Sequence, residues 1–372
     1  MLPTTSISSL KQDALFNDAP ASLCILRLSA LGDVCNTIAV VQAIQKQWPQ
    51  TKITWITGKL EAQLIHDLPN INVIIFDKKA GWSGYRALWQ SLKHIRFDAL
   101  LHMQYALRAS IATLGIKATY KLGFDSERSQ DFQTLFTNVK VPSPQQPHVL
   151  DGLMAFAHTL GIKASSPSWY IPYSEDDKQW ALAQLSTEKP NVIIVPGTSK
   201  AYKNWTTVGY VDAADYAHSK GFHVLLSGSP APNEVTLAQQ IQAQSNAPLT
   251  NLAGQSSIKQ MLALIDLADL VIAPDTGPTH MANAMQTPVI GLYAHHNPKR
   301  TGPYCYQDFI VSAYTEALKQ EHPNGIDALP WRTRVKNEQA MALISTKMLR
   351  DAFDNIMLCY DLRSQINAGP SK

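Results

Sequence analysis

The chain has only four cysteines, Cys24, Cys35, Cys305 and Cys359, and no two of them form a Cys-x-x-Cys pair. That spacing excludes a disulfide framework and the common zinc and thiol-redox motifs. Cys24 and Cys35 lie in apolar surroundings and read as small core residues. No window approaches the ~20 uninterrupted apolar residues that a membrane-spanning helix needs. The first twenty residues have no basic start, apolar centre and small-residue cleavage site, so no secretory signal is read there. After the first apolar run stands Ser29-Ala-Leu-Gly-Asp33 rather than Gly-x-Gly-x-x-Gly, which argues against a dehydrogenase. These absences predict a cytoplasmic protein in a reducing compartment, with neither a metal nor a resident cofactor.

The remaining composition, 45% hydrophobic and 16% charged, is that of a globular protein, and 372 residues suggest two domains. Short apolar runs alternate with segments of helical spacing. Ser22–Leu28 reads as a first strand and Val34–Trp48 as a helix, with further strands at Ile53–Thr57, Val73–Phe76 and Phe97–His102 and a short one at Lys117–Gly123. A stretch rich in Pro, Ser and Gln (142–147), a helix at His148–Leu160 and a linker near 165–175 follow. The alternation then restarts, with strands at Asn191–Val195, Phe222–Leu226, Asp269–Ala273 and Pro288–Tyr293. This is the pattern of parallel, doubly wound sheets, hence an α/β protein with a domain at 1–170 and a second at 171–335. Residues 336–372 carry an amphipathic helix, about 337–360, expected to pack back across the first domain. Residues 1–20 read as a loosely held arm.

The net charge of +3 conceals an asymmetry. Residues 1–170 hold 16 Lys and Arg against 11 Asp and Glu, and residues 171–372 hold 16 against 18. Lys78, Lys79, Arg86, Lys93 and Arg96 fall close together in the basic half, which suggests an anionic partner or a solvated helix face. No aromatic residues interleave them on a recognisable nucleic-acid module, so no nucleic-acid partner is expected.

Ligands of open α/β sheets bind beyond the carboxyl ends of the strands. Four polar, glycine-containing loops occupy such positions: Ser29–Asp33, Pro196–Trp205, Gly228–Glu234 and Asp275–His280. In the last, the strand stops at Pro274 and Pro278 stands where a helix begins. Strand, glycine turn and helix present free N–H groups and a helix dipole to a phosphate, with Gly277 allowing close approach and Thr276 and His280 as added donors.

These pieces carry a resemblance. Leu31-Gly-Asp-Val34, Pro196-Gly-Thr198 with Lys203-Asn-Trp205, Gly228–Glu234, Leu252-Ala-Gly254 and Asp275-Thr-Gly-Pro-Thr-His280 stand in the order found in glycosyltransferase family 9, the ADP-heptose:lipopolysaccharide heptosyltransferases. The resemblance implies the GT-B fold, two Rossmann-like domains facing a central cleft. It also implies inverting, metal-independent transfer of heptose from ADP-heptose to the lipopolysaccharide inner core. Asp33 would be the general base, or else a cap of the helix from Val34. Lys203 would balance the departing diphosphate. Thr198, Ser199, Glu234, Gly254, Asp275, Thr276, Gly277 and His280 would complete the donor site, with Leu252 and Ile258 shaping a slot for the base. Arg108, Lys78 and Lys79 are the candidates for acceptor phosphates or carboxylates, and the same basic group would suit the anionic face of the inner membrane. The competing readings are the same fold with another nucleotide sugar, a nucleotide-sugar epimerase, and a catalytically silent sugar-nucleotide binder. Asp33, Lys203 and Asp275 together argue against silence.

Overall fold

The computed structural model describes residues 14–164 and 166–362. The first half builds a sheet from β1 (Ser22–Leu26), β2 (Lys52–Thr57), β3 (Ile71–Ile75), β4 (Arg96–His102), β5 (Lys117–Phe124) and β6 (Val139–Val141). All neighbours pair in parallel, in the order β3-β2-β1-β4-β5-β6. The second half repeats this with β7 (Asn191–Ile194), β8 (His223–Leu226), β9 (Leu249–Asn251), β10 (Leu270–Pro274), β11 (Val289–Tyr293) and β12 (Ile310–Ser312). Its order is β9-β8-β7-β10-β11-β12, again parallel throughout. Each sheet therefore reverses direction once, between β1 and β4 and between β7 and β10. At these switch points the outgoing loops diverge and leave a crevice. Central strands such as β1, β7 and β10 are almost wholly buried, which is why they read in the sequence as unbroken apolar runs.

The two halves meet where helix Leu31–Gln47, following β1, faces helix Gly277–Met285, following β10. Glycines permit that approach. A Cβ on Gly277 would lie 3.1 Å from Leu31 Cβ, and one on Gly32 would overlap the His280 ring. The connecting segment is pinned. Trp169 Nε1 donates to Cys35 O (2.9 Å), and Tyr173 OH donates to Asp266 Oδ2 (2.5 Å).

Several expectations need correction. The three-residue strands β6 and β9 and the helix Tyr314–Glu321 had no sequence reading, because segments this short carry little periodicity. The arm is held at its end, where Leu15 and Phe16 N–H groups bond to the carbonyls of Thr159 and Leu160; residues 1–13 lie outside the described residues. The tail forms a 3₁₀ turn, Ala340–Leu343, and a helix, Thr346–Cys359, which packs on helix Thr207–Ser219 and β12 of the second half, not across the first. Its apolar stripe sets Phe353 against the rings of Tyr216 and Phe222. Arg350 pairs with Asp212 and Asp354 accepts from Tyr216 OH (2.7 Å), so complementary charge as well as shape selects that surface. Residues 363–372 lie outside the described residues. No helix among those described is long and apolar enough to cross a membrane.

Candidate active site

β1 carries the chain into the cleft through Arg27, a buried cation at the end of an apolar strand. Its Nε donates to Ser29 O (2.9 Å), Nη1 to Met103 O, and Nη2 pairs with Asp33 Oδ2. Gln104, just beyond β4, accepts from Leu28 N (2.7 Å) and donates to Ser29 Oγ (3.3 Å). The switch point of the first sheet is thus clamped from both strands. Asp33 is the third residue of its helix and accepts from Ala30 N (3.4 Å), so it does cap the helix. Both of its polar contacts use Oδ2, and Oδ1 makes none among the described residues.

The opposite rim begins in the loop after β7. Thr198 is buried; its hydroxyl donates to Lys200 O (2.7 Å), and Asn204 Oδ1 accepts from Thr198 N (2.9 Å). These bonds close the 3₁₀ turn Ala201–Lys203 and aim Lys203 back over the sheet. Lys203 Nζ donates to Asp275 Oδ2 (2.8 Å), and His296 Nδ1 lies 2.5 Å from the same oxygen. Trp205 is buried with Nε1 donating to Ile344 O (2.9 Å), a packing residue beneath this loop. Burial pushes the Asp275 carboxyl up, but the His296 hydrogen bond and the Lys203 ammonium outweigh it and hold it well below the usual carboxylate range. Burial pushes His280 and His296 down, so both favour the neutral form.

Two cavities share a wall here. One, of about 310 Å³, has Asp33 on one side and Lys203 and Asp275 on the other, with Thr198 and His280 also lining it. The second, of about 350 Å³, is more apolar and is lined by Glu234, Ser229, Ile258, Met261 and Met281. Ala30, Gly32, Ser199, Thr276 and Gly277 line both. The shared wall therefore contains the amino ends of the two facing helices, whose unpaired N–H groups and dipoles favour an anion. Among the described residues no group of three or more His, Cys, Asp and Glu side chains is arranged to hold a metal ion.

Most of the expected residues converge on this pair of cavities, though not all act as expected. Thr198 spends its hydroxyl on the loop, and Glu234 Oε2 accepts from Ser229 N (3.1 Å) at the start of its own helix. Gly254 and Leu252 line neither cavity. Gly254 has a left-handed φ of 77°, and a Cβ placed on it would lie 3.2 Å from Pro230 Cα. Arg108, Lys78 and Lys79 are exposed and line neither cavity, because the turn Lys78–Ala80 and the helix Leu107–Ala112 point their cations into solvent. The sequence reading missed Arg27, Tyr105, His296, Arg300 and Arg334, all of which line the first cavity. Two of them were detectable: Arg27 is a lone cation in an apolar run, and His295-His296 follows a strand at the ligand-binding rim.

Two doubly wound sheets with their carboxyl rims facing one cleft define the GT-B class of glycosyltransferase. The profile described as glycosyltransferase family 9 (heptosyltransferase) matches residues 85–326. The lipopolysaccharide core heptosyltransferase OpsX of Haemophilus influenzae is 47% identical over 333 residues, 90% of this chain and 96% of that protein. Among solved structures, a family 9 glycosyltransferase from Veillonella parvula superposes with a TM-score of 0.75 at 20% identity, covering 91% of this chain and 97% of that one. Escherichia coli ADP-heptose lipopolysaccharide heptosyltransferase II superposes with a TM-score of 0.69 at 19% identity, covering 91% and 99%. The chain belongs to glycosyltransferase family 9 and is a glycosyltransferase of the heptosyltransferase kind.

Proposed function

We propose that this enzyme transfers heptose from ADP-heptose to the lipopolysaccharide inner core, with inversion at the anomeric carbon and without a metal ion. The observation that carries this reading is that Asp33, from the first sheet, and Lys203, from the second, line one cavity. The nucleoside occupies the apolar second cavity, where Glu234 and Ser229 stand near its ribose. The diphosphate lies on the shared wall against the two helix ends, and the heptose enters the first cavity beside Lys203 and Asp275. An acceptor hydroxyl then attacks the anomeric carbon as Asp33 Oδ1 takes its proton. The bond to the phosphate oxygen breaks, and its electron pair leaves with ADP, stabilised by Lys203 and the N–H groups around Thr276 and Gly277. Arg27 holds Oδ2 so that Oδ1 faces the hydroxyl.

The enzyme works in the cytoplasm, peripherally bound to the inner membrane. Lys78, Lys79 and Arg86 beside the exposed Trp82 support that placement, as cations and an interfacial ring suit an anionic lipid surface. Incubating the purified protein with ADP-heptose and truncated lipopolysaccharides, with a chelator present, should add one heptose mass and release ADP. Transfer of a hexose from a UDP-sugar, or none from ADP-heptose, overturns the donor assignment and leaves the fold standing.

A further inference from the structure

The first cavity contains more positive charge than its own carboxylates neutralise. Arg27 is paired with Asp33 and Lys203 with Asp275. Arg300 and Arg334 line the same cavity, and neither forms an ion pair among the described residues. Arg300 is fixed in another way. Its guanidinium carbon stands 5.6 Å from the centroid of the Trp331 ring, over which Arg128 also stacks at 5.0 Å, and its buried Nε has no hydrogen-bond partner among the described residues. A guanidinium held by an aromatic plane keeps its N–H fork free for a ligand.

Position separates these two arginines from the donor. Neither Arg300 nor Arg334 lines the second cavity, whereas the glycine-rich wall that receives the diphosphate lines both. Arg300 and Arg334 line the first cavity together with Tyr105 and Val149 of the other half. The halves are joined beside Val149 by His148 Nε2 to Gly302 O at 2.8 Å. Asp33, Arg300 and Arg334 all line the first cavity and not the second, so they bound the same space.

We propose that Arg300 and Arg334 form a subsite for an anionic group, carboxylate or phosphate, on the acceptor saccharide. The subsite rests on the transfer reaction assigned above and adds the acceptor's anchor to it. Unpaired guanidinium groups in a cleft raise the local concentration of anions and bind planar or tetrahedral oxyanions through two parallel bonds. The anchor would fix the acceptor's register so that one hydroxyl meets Asp33, which is positioning from a distance.

The test compares wild type with Arg300→Gln, Arg300→Lys and Arg334→Gln, measuring acceptor saturation in transfer assays and ADP binding by calorimetry. Each Gln variant should raise the acceptor KM about tenfold, the loss of one charge-assisted bond, while the ADP Kd stays within about twofold of wild type. Arg300→Lys should recover part of the loss. Arg334 is exposed, so its variant reports on binding without risk to the fold. Acceptors treated to remove phosphate, or with the carboxyl reduced to an alcohol, identify the anion: the Gln variants and wild type should become equal on whichever acceptor lacks it. Weakened ADP binding with unchanged acceptor KM assigns the arginines to the donor and overturns the proposal, as does an unchanged KM in both Gln variants. Failure of the wild type to transfer from ADP-heptose to any acceptor refutes the reaction itself, a separate outcome.

Discussion

Lys203 Nζ lies 2.8 Å from Asp275 Oδ2, the same oxygen that His296 Nδ1 approaches at 2.5 Å. The lysine is therefore a held charge, and Asp275 sets where it is held. Replacing Asp275 by Asn keeps the lysine's charge but releases its position. Because an unpaired buried charge costs about 3 kcal/mol or more, D275N should lower the melting temperature and reduce kcat on the order of 100-fold. Its ADP affinity, measured by calorimetry, should not fall. A variant with normal kcat would show that the ion pair is scaffolding only.

The roles given to Asp33 and Lys203 separate in binding. Lys203→Ala removes the cation proposed to stabilise the departing diphosphate and should weaken ADP binding about tenfold or more. Asp33→Asn keeps shape and helix cap, and should bind ADP as wild type does while turnover disappears. Equal loss of ADP affinity in both would contradict the division of labour.

Gly32 tests the seam between the halves. A methyl group there enters the space of the His280 ring, whereas one on Gly277 meets Leu31 Cβ at 3.1 Å and needs only a small shift. Gly32→Ala should abolish transfer and lower thermal stability. Gly277→Ala should retain measurable activity with a raised donor KM. The reverse ranking would place the critical approach elsewhere.

Acid should loosen the join between the halves. His148 accepts from Leu150 N through Nδ1 (3.0 Å), and its Nε2 bonds to Gly302 O, which fixes the neutral tautomer with its proton on Nε2. Burial pushes its pKa down from 6.5 to about 4, although the Gly302 bond partly opposes the shift. Between those values the unfolded chain binds a proton that the folded chain excludes. The contribution to stability is therefore complete above pH 6.5 and is lost as pH falls toward 4. His102, buried and pushed down to about 3, acts in the same direction. Thermal melts should show falling stability over that window, and His148→Asn should flatten the fall while costing about 1 kcal/mol at pH 7 through loss of the bond to Gly302 O. A wild-type melt unchanged from pH 6.5 to 4 would contradict this.

Membrane attachment predicts a salt-sensitive interaction through the edge bearing Trp82, which is 65% exposed. Co-sedimentation with vesicles containing anionic lipid should fall several-fold in a Lys78→Glu, Lys79→Glu double variant and in high salt, at about 1 kcal/mol per lysine. Transfer to a short soluble acceptor should be unaffected. Vesicle binding that survives the double variant would move the contact to another surface.

Much of the scaffold was legible because it depends on local signals. Strands buried on both faces must be continuous apolar runs, and a helix that starts at a ligand must start with glycine, proline and small polar residues. Those rules located β1, β7, β10 and their loops, and with them Asp33, Lys203 and the Asp275–His280 turn. The short edge strands β6 and β9 gave no such signal, since a three-residue strand is selected by its neighbour's hydrogen bonds and not by its own pattern.

The amino-acid sequence by itself determined the sheet type, the two-part division and the glycine-containing loops beyond the strands' carboxyl ends, because each follows from residues adjacent in the chain. Only the tertiary structure decided which cations are free. Lys203 is paired with Asp275, 72 residues away, and the cavity's arginines without an ion pair among the described residues are 300 and 334, not the basic run near residue 80. A charge's partner is set by distance in space, and no local pattern records that distance. The tail helix makes the same point: its apolar stripe was readable, but the surface it covers was chosen by the fit of Phe353 and by the carboxylate of Asp212 facing Arg350.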